Sequence, residues 1–570
     1  MSIRRYTASA DTTIVNAFKA DLTTRGTGSN MGRADVMEVF SIYGRQQPSS
    51  SALFKGGASQ ELSRLLVQFP VSSIASDRNA SKIPASGSIS FYLKLYNAKT
   101  SKTVPRDYKL VVLPVSQSWQ EGNGLDLENY RDETKGKMGA NWLNAGSSST
   151  GVSTWKNIAG AASIGGSYKT GSWQGSGVTA TMKQFIYTQT FGGGLEDLEI
   201  DITGLVEEWI AAETGSATAG IDNYGVGVHL SSSYEAYFST ADGNDASPTP
   251  GGSPPYASLS ASSLQNTDGA LTSYYTKRFF ARGTQYYFKK PTIEARWNSI
   301  KRDDRANFYY SSSLAPSGQN LNTLYLYNYV RGRLVDIPGL TDNKLLVSFY
   351  SGSSDNSDAT GSAILLYYPG AGSGGKYAVT ASRAATGIYS CSVAITAANT
   401  PLQTIFDVWH DGKNTPALGS TQFVTASFRP NTFGGQTNTR EPIYYCNITN
   451  LQNSYLPTQN ARFNLYIREK NWNPTIYTKA NSDPATTSIA SASYRVYRVM
   501  DSYNAVPYYT GSEYATGLSY DVSGNYFDFD MTLLDPGYAY AFKFAFYDPE
   551  LKSWQEQDQT FKFRVENYEY

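Results

Sequence analysis

Hydrolase triads and zinc centres draw on histidine more than on any other side chain, because imidazole titrates near neutral pH and its ring nitrogens bind metal. This chain has two, His229 and His410, and each reads as structural. His410 sits in Val408-Trp409-His410-Asp411-Gly412, where the adjacent carboxylate invites a catalytic pair. Adjacent residues of a strand point to opposite faces, so His410 and Asp411 cannot easily cooperate. The segment reads instead as a strand running into an Asp-Gly turn. Asp126, Glu128, Asp132 and Glu133 crowd one loop and carry the oxygen chemistry that Ca²⁺ takes, but they lack the spacing of an EF-hand, so a solvated loop is expected there. Asp11, Asp201 and Asp222 read as caps of turns or of a helix. Paired carboxylates for glycoside hydrolysis are defined by a separation in space, which spacing along a chain does not supply. Flat rings cover the apolar faces of sugars, and Trp155, Trp173, Tyr274-Tyr275 and Tyr286-Tyr287 are open to that role, to core filling or to contacts between subunits. No catalytic, metal-binding or cofactor-binding residue is assigned, and no cofactor is expected.

The elements that would position such groups are strands. Tyr 44, Phe 25 and Gly 50 with only 7 Met and 17% charged residues suit short strands and many turns, which makes the class all-β. A chain of 570 residues is too long for one core, and three domains are expected. Lys+Arg 48 balances Asp+Glu 48, and no basic block tracks a phosphate backbone, so nucleic acid is not an expected partner. Zero net charge also removes some self-repulsion, which tolerates close packing among copies or neighbours. Cys391 and Cys446 fall in different expected domains and read as small buried hydrophobes rather than a disulfide framework. Met1-Ser2-Ile3-Arg4-Arg5-Tyr6-Thr7-Ala8 has no apolar leader core, and no run of about 18 apolar residues occurs, so synthesis in the cytoplasm with no membrane partner is expected.

Residues 1–300 read as one long sandwich. Val36–Tyr43, Leu62–Phe69 and Tyr108–Val115 are strand-like, and Pro70 ends the second because it has no N–H to donate. Across 88–96 the alternation puts Ile89, Phe91, Leu93 and Leu95 on one face. Residues 144–180, rich in Gly and Ser, read as an excursion from the sandwich, and 241–270 as a polar insertion. A short helix starts near Thr203, with Leu205, Val206, Trp209 and Ile210 on one stripe and Glu207 and Glu208 facing out, and serves as a plug over an open end.

Ser9-Ala10-Asp11-Thr12-Thr13-Ile14, Ser118-Trp119-Gln120-Glu121-Gly122-Asn123-Gly124, Gly139-Ala140-Asn141-Trp142, the helix around Trp209, Asp222-Asn223-Tyr224-Gly225 and the last strand through Trp297 follow in order. In that order they resemble the DNRLRE domain, a β-sandwich module of adhesive surface proteins and phage virion proteins. Asp11, Asp201 and Asp222 stand at places typical of that family. The resemblance implies a jelly-roll-like sandwich over 9–297 and leaves carbohydrate binding open, since some members act as carbohydrate-binding modules. The chain departs from the pattern in its insertions and in Phe280-Ala281-Arg282-Gly283, which stands where the family has a Ser-Arg-Glu phrase.

After the charged linker Lys301-Arg302-Asp303-Asp304-Arg305, residues 301–435 and 436–570 read as two immunoglobulin-like or fibronectin-like sandwiches. Leu534-Asp535-Pro536-Gly537-Tyr538-Ala539-Tyr540 resembles the tyrosine corner of those folds. The expected role is that of a structural protein of a tailed-phage virion, an accessory component of tail, neck or head surface. Its expected partners are other virion proteins, copies of itself and a surface glycan. The alternatives are a carbohydrate-binding adhesin and a polysaccharide-active enzyme working with Tyr and Arg.

Overall fold

The computed structural model describes the chain outside residues 1, 18, 20–25, 44–59, 101–103, 126–129, 131–137, 149–150, 157–159, 170–183, 216–219, 236–273, 341–344, 353–358, 360, 372–373, 397–401, 413–419, 432–442, 471–485, 550 and 568–570. Asp126, Glu128, Asp132, Glu133, Trp173 and the whole of the 241–270 insertion lie outside the described residues. The fold is all-β, and it divides into two compact units, Ser2–Asn298 and Ser299–Tyr570.

In the first unit a four-stranded antiparallel sheet runs in the order Ile3–Thr7, Thr292–Arg296, Ser90–Leu95, Leu198–Asp201. A seven-stranded sheet contains Ala10–Asn16, Val36–Tyr43, Gln60–Gln68, Tyr108–Pro114, Tyr187–Phe191, Val226–Leu230 and Tyr274–Phe280. Period-two alternation buries Ile89, Phe91, Leu93 and Leu95 together, as expected for a strand with one face on a core. Pro70 does end its strand, but it also stands as N-cap of a helix the sequence reading missed, α1 (Val71–Asn79). The second helix, α2 (Thr203–Glu213), buries Leu205, Val206, Trp209 and Ile210. Asp201, expected as a cap, accepts from the Thr203 N–H and hydroxyl at the start of α2, while Thr203 Oγ1 accepts the Phe91 N–H at 2.8 Å. One detail of α2 corrects the expectation. Glu208 is buried rather than outward, and Glu207 is forked by the Arg78 guanidinium of α1 at 2.6 Å on each arm.

The described part of the 144–180 excursion packs against the sandwich instead of leaving it. The hairpin Asn144–Ser148 and Gly151–Thr154 brings Trp155 down beside Trp142, Ala140, Ile14, Leu62, Leu66 and Val115. One end of the large sheet's second face is thereby dried by the chain's own aromatic rings.

The second unit holds two sandwich cores. In the first, the strand Val379–Ala385 changes partner along its length, pairing with Leu345–Gly352 through Ala381 and with Ile388–Val393 from Ser382 onward. The sheet thereby turns around a core to which Leu324, Cys391, Val347 and Trp409 all contribute. In the second, the sheet Tyr444–Ile448, Asn460–Glu469, Gly524–Asp530, Ser519–Asp521 faces a six-stranded sheet that includes Ala492–Arg498, Ala539–Asp548 and Phe561–Val565. Phe463, Phe527, Phe542 and Phe563 fill the space between them, with neighbouring rings 4.7 to 5.2 Å apart. The Tyr540 hydroxyl donates to the Asp535 carbonyl at 2.7 Å, the geometry of a tyrosine corner. The closing strand Phe561–Val565 is held inside its own sheet, antiparallel to Ala539–Asp548 and parallel to Ser454–Tyr455.

The charged run Lys301–Arg305 is not a free linker. Tyr520 N donates to Lys301 O and Asp303 N to Tyr520 O, both at 3.0 Å, while Asp304 N reaches Thr323 O at 2.9 Å. One short segment is thus hydrogen-bonded to strands of both sandwiches. Cys391 and Cys446 are both free and buried.

If α2 closes the first core, Trp209→Ala should lower the unfolding free energy of a 2–298 fragment by about 3–5 kcal/mol, because the cavity left by a buried indole does not fully collapse. Urea denaturation of the fragment measures this. A loss near zero would mean the helix seals nothing.

Candidate functional site

The motifs of the first unit converge on one buried side chain. The Asn30 amide donates to the carbonyls of Glu121 and Ala140, each at 2.7 Å, and its oxygen accepts the N–H groups of Gly32 and Gly124, each at 3.1 Å. All four of its hydrogen-bonding positions are filled, which fixes the amide's orientation. The glycines around it are required by space. A Cβ on Gly122, which has φ +82, would lie 2.2 Å from Asn30 Oδ1, and one on Gly124 would lie 1.6 Å from the Asn30 carbonyl.

Beside Asn30, Glu121 meets Arg282. The guanidinium reaches both carboxylate oxygens, at 2.7 and 2.8 Å, and Glu121 Oε1 also accepts the Asp11 N–H at 3.0 Å. Asp11 in turn accepts the Arg282 backbone N–H. Asp11 therefore does not cap its own turn, as expected from the sequence, but ties the strand Ala10–Asn16 to the chain just after Tyr274–Phe280. Burial pushes its carboxyl up to about 7, Glu121 adds to the rise, and the Arg282 N–H and charge oppose it. Trp119 is only partly buried and donates to Tyr224 O at 2.8 Å, which joins this corner to the Asn-Tyr-Gly turn. There the turn is capped by Asn223, whose Oδ1 accepts the Gly225 N–H, while exposed Asp222 accepts the Tyr224 hydroxyl at 3.3 Å.

On the second face of the large sheet, Arg64 lies between the rings of Trp142 and Tyr168, at 5.3 and 5.8 Å from their centroids, and donates to Glu235 at 3.2 Å. The Tyr168 ring also approaches the His229 ring at 5.6 Å. A tyrosine next to an arginine is what a lyase without histidine would use, but burial raises Tyr168 to about 12, away from the phenolate a base requires. Burial and the Arg64 charge lower His229 to about 4, so this imidazole is neutral at pH 7.

His410 is fully buried, and its ring links Ser348 to a turn. The Gly412 N–H donates to Nδ1 at 3.2 Å, which leaves the proton on Nε2, aimed at Ser348 Oγ at 3.0 Å. A serine-activating base needs the reverse, an Nε2 lone pair facing the hydroxyl. Asp411 accepts the Thr421 N–H instead of orienting the imidazole.

Two buried cations, Arg305 and Lys277, are not among the candidates singled out from the sequence. Arg305 donates to Asp303, to both oxygens of Asp407 and to the Tyr325 carbonyl, while Trp409 Nε1 adds a bond to Asp407 at 2.7 Å. Burial pushes Asp303 up to about 6 against the pull of Arg305. Lys277 donates to Asn97 Oδ1, Gly194 O and Glu196 O at 2.7 to 3.0 Å between the rings of Phe191 and Phe279. Burial lowers its ammonium to about 8. Its strand alternation with buried Phe279 is the one pattern that pointed it inward.

The aromatic candidates separate by exposure. Trp155 is 0% exposed and belongs to the core, and Tyr274 stands edge-on to Tyr234 at 5.2 Å, while Tyr286 and Tyr287 keep 54% and 43% of their surface. The side chain of Tyr275 lies outside the described residues. Among the described residues no group of three or more His, Cys, Asp or Glu is placed to hold a metal ion.

No protein-family model matches the chain, and none of the curated proteins matches it. Among solved structures it is similar to Salmonella alpha-2-macroglobulin reacted with methylamine, at 9% identity and a TM-score of 0.13, over 53% of this chain and 18% of that one. A similar match is the native conformation of E. coli alpha-2-macroglobulin, at 10% identity and a TM-score of 0.14, over 52% of this chain and 18% of that one. At these TM-scores the likeness carries no argument, and the chain spans less than a fifth of those proteins.

Asp11 and His229 titrate with opposite sign. The Asp11 carboxyl is raised from 3.8 to about 7, so the folded state binds the extra proton and stability falls as pH rises through that window. His229 is lowered from 6.5 to about 4, so its contribution rises with pH between those values. Asp11→Asn should therefore gain stability relative to the parent between pH 4 and pH 8 by on the order of 3 kcal/mol. Urea midpoints of both proteins at the two pH values give that difference, and a flat difference would mean Asp11 stays ionised throughout.

Proposed function

We propose that this chain is a non-enzymatic structural protein of a tailed-phage virion, an accessory component of the tail, neck or head surface. It works by assembling with other virion proteins and with its own copies. The observation that carries the reading is how the reactive side chains are used. Arg282 and Glu121, Arg305 and Asp407, and His410 with Ser348 each join segments far apart in the sequence, and each is committed to a partner inside its own unit. Groups held this way give a rigid scaffold, and rigidity is what a repeated particle component requires. Further support comes from the motif order resembling DNRLRE domains, in which Asp11 and Glu121 stand within two of the quoted phrases and meet each other and Arg282 in one node. The balance of 48 basic and 48 acidic residues also favours dense packing. The adhesin reading is favoured by one feature, a polar cleft in the last sandwich, described in the next subsection.

Mass spectrometry of purified particles should find the chain in stoichiometric amount, and its absence from intact particles would reject the assignment. A version ending at residue 298 keeps a whole compact unit. It should remain folded and soluble yet fail to join the particle. Incorporation at the parent copy number would instead place the assembly contacts in the first unit.

A further inference from the structure

The last sandwich has an open cleft of about 570 Å³, lined by the edge strand Tyr444–Ile448 and by the chain on either side of the turn that joins Ala539–Asp548 to Ser553–Glu556. That volume is in the range of small-molecule sites. Its apolar wall is built by Tyr444, partly exposed, whose ring stands edge-on to the buried Phe546 at 5.5 Å and is thereby held in one orientation. Its polar wall is Gln555-Glu556-Gln557-Asp558-Gln559, a run of amides and carboxylates.

The members of that run are not equally committed. Glu556 is already taken by Arg495, Lys543 and the Tyr508 hydroxyl. Gln559 is different, because its Oε1 is buried and has no hydrogen-bond donor among the described residues. A buried acceptor without a partner is a standing cost that a ligand hydroxyl relieves. Asp548 and Asp558 face the cleft with Lys470, so acidic groups outnumber basic ones once Glu556 is set aside.

From this geometry we infer that the cleft is a binding site for a neutral glycan of hexose or N-acetylhexosamine units. A pyranose presents adjacent hydroxyls, each donor and acceptor, which amide and carboxylate side chains in a row can bracket. It also presents a face of C–H groups, which a fixed aromatic ring covers. The surplus of carboxylates repels uronic and sialic acids. The inference does not depend on the virion assignment, since an adhesin and a particle component would use the same cleft.

The test is binding of the purified full-length chain to an array of neutral and acidic oligosaccharides, followed by titration calorimetry with the best neutral one. Binding to neutral oligosaccharides is expected, and Tyr444→Leu, Asp558→Asn and Gln559→Leu should each weaken it about tenfold. Asp558→Asn exchanges one surface oxygen for nitrogen, so it reports on the site even if the other two variants lose stability. No binding to any neutral member, binding to acidic members alone, or undiminished affinity in Asp558→Asn and whichever of the other two folds would overturn the assignment. Particle mass spectrometry is indifferent to all of these outcomes, so the two readings fail separately.

Discussion

The contact between Glu121 and Arg282 is the constraint on which the first unit depends. Each belongs to a different part of the chain, and their pairing brings the segment before Gly122 onto the stretch after the strand Tyr274–Phe280, with Asp11 locked between them by two backbone N–H bonds. Placing these charges in partly dry surroundings is expensive, and a pair of this kind does not by itself stabilise a fold over a well-packed apolar alternative. Its contribution is specificity, because removing one partner strands the other. The second unit repeats the device in deeper burial with Arg305 between Asp303 and Asp407. In both units an ion pair ties together segments that lie far apart in the sequence.

Much of the architecture was legible because strands advertise themselves by alternation. Ile89, Phe91, Leu93 and Leu95 share a buried face as the pattern required, and the Asp-Pro-Gly-Tyr phrase led to a tyrosine whose hydroxyl does reach back to Asp535. Elements governed by distant partners were not legible. Val71–Asn79 has a weak apolar pattern, and Pro70 was read only as the end of a strand although proline also begins helices. Glu208 and Lys277 look like solvent-facing charges in their local sequence, and only the fold brings them inside. For Lys277 the acceptors are at 97, 194 and 196, so no window of sequence contains the site.

The candidate sites show the same division. Asp201 took the capping role its position suggested, while Asp11 and Asp222 found different partners because their bonds are set across the sandwich or by a neighbouring hydroxyl. Trp155 could have been a platform or a core residue on composition alone, and the hairpin ahead of it decided the matter by turning it inward. Glycine-rich sequence was a poor guide to exposure here. At Gly122 and Gly124 glycine serves close packing around Asn30 rather than freedom of movement.

The two cysteines carry a consequence for the surroundings in which the fold can persist. Cys391 and Cys446 are both buried, and burial raises both thiols, Cys446 to about 12, far from the thiolate that reacts with oxidants or disulfides. Neither sulfur takes part in a crosslink. The same covalent chain is therefore native under glutathione and in air, and passage between a reducing and an oxidising medium leaves no bond to be made, broken or repaired.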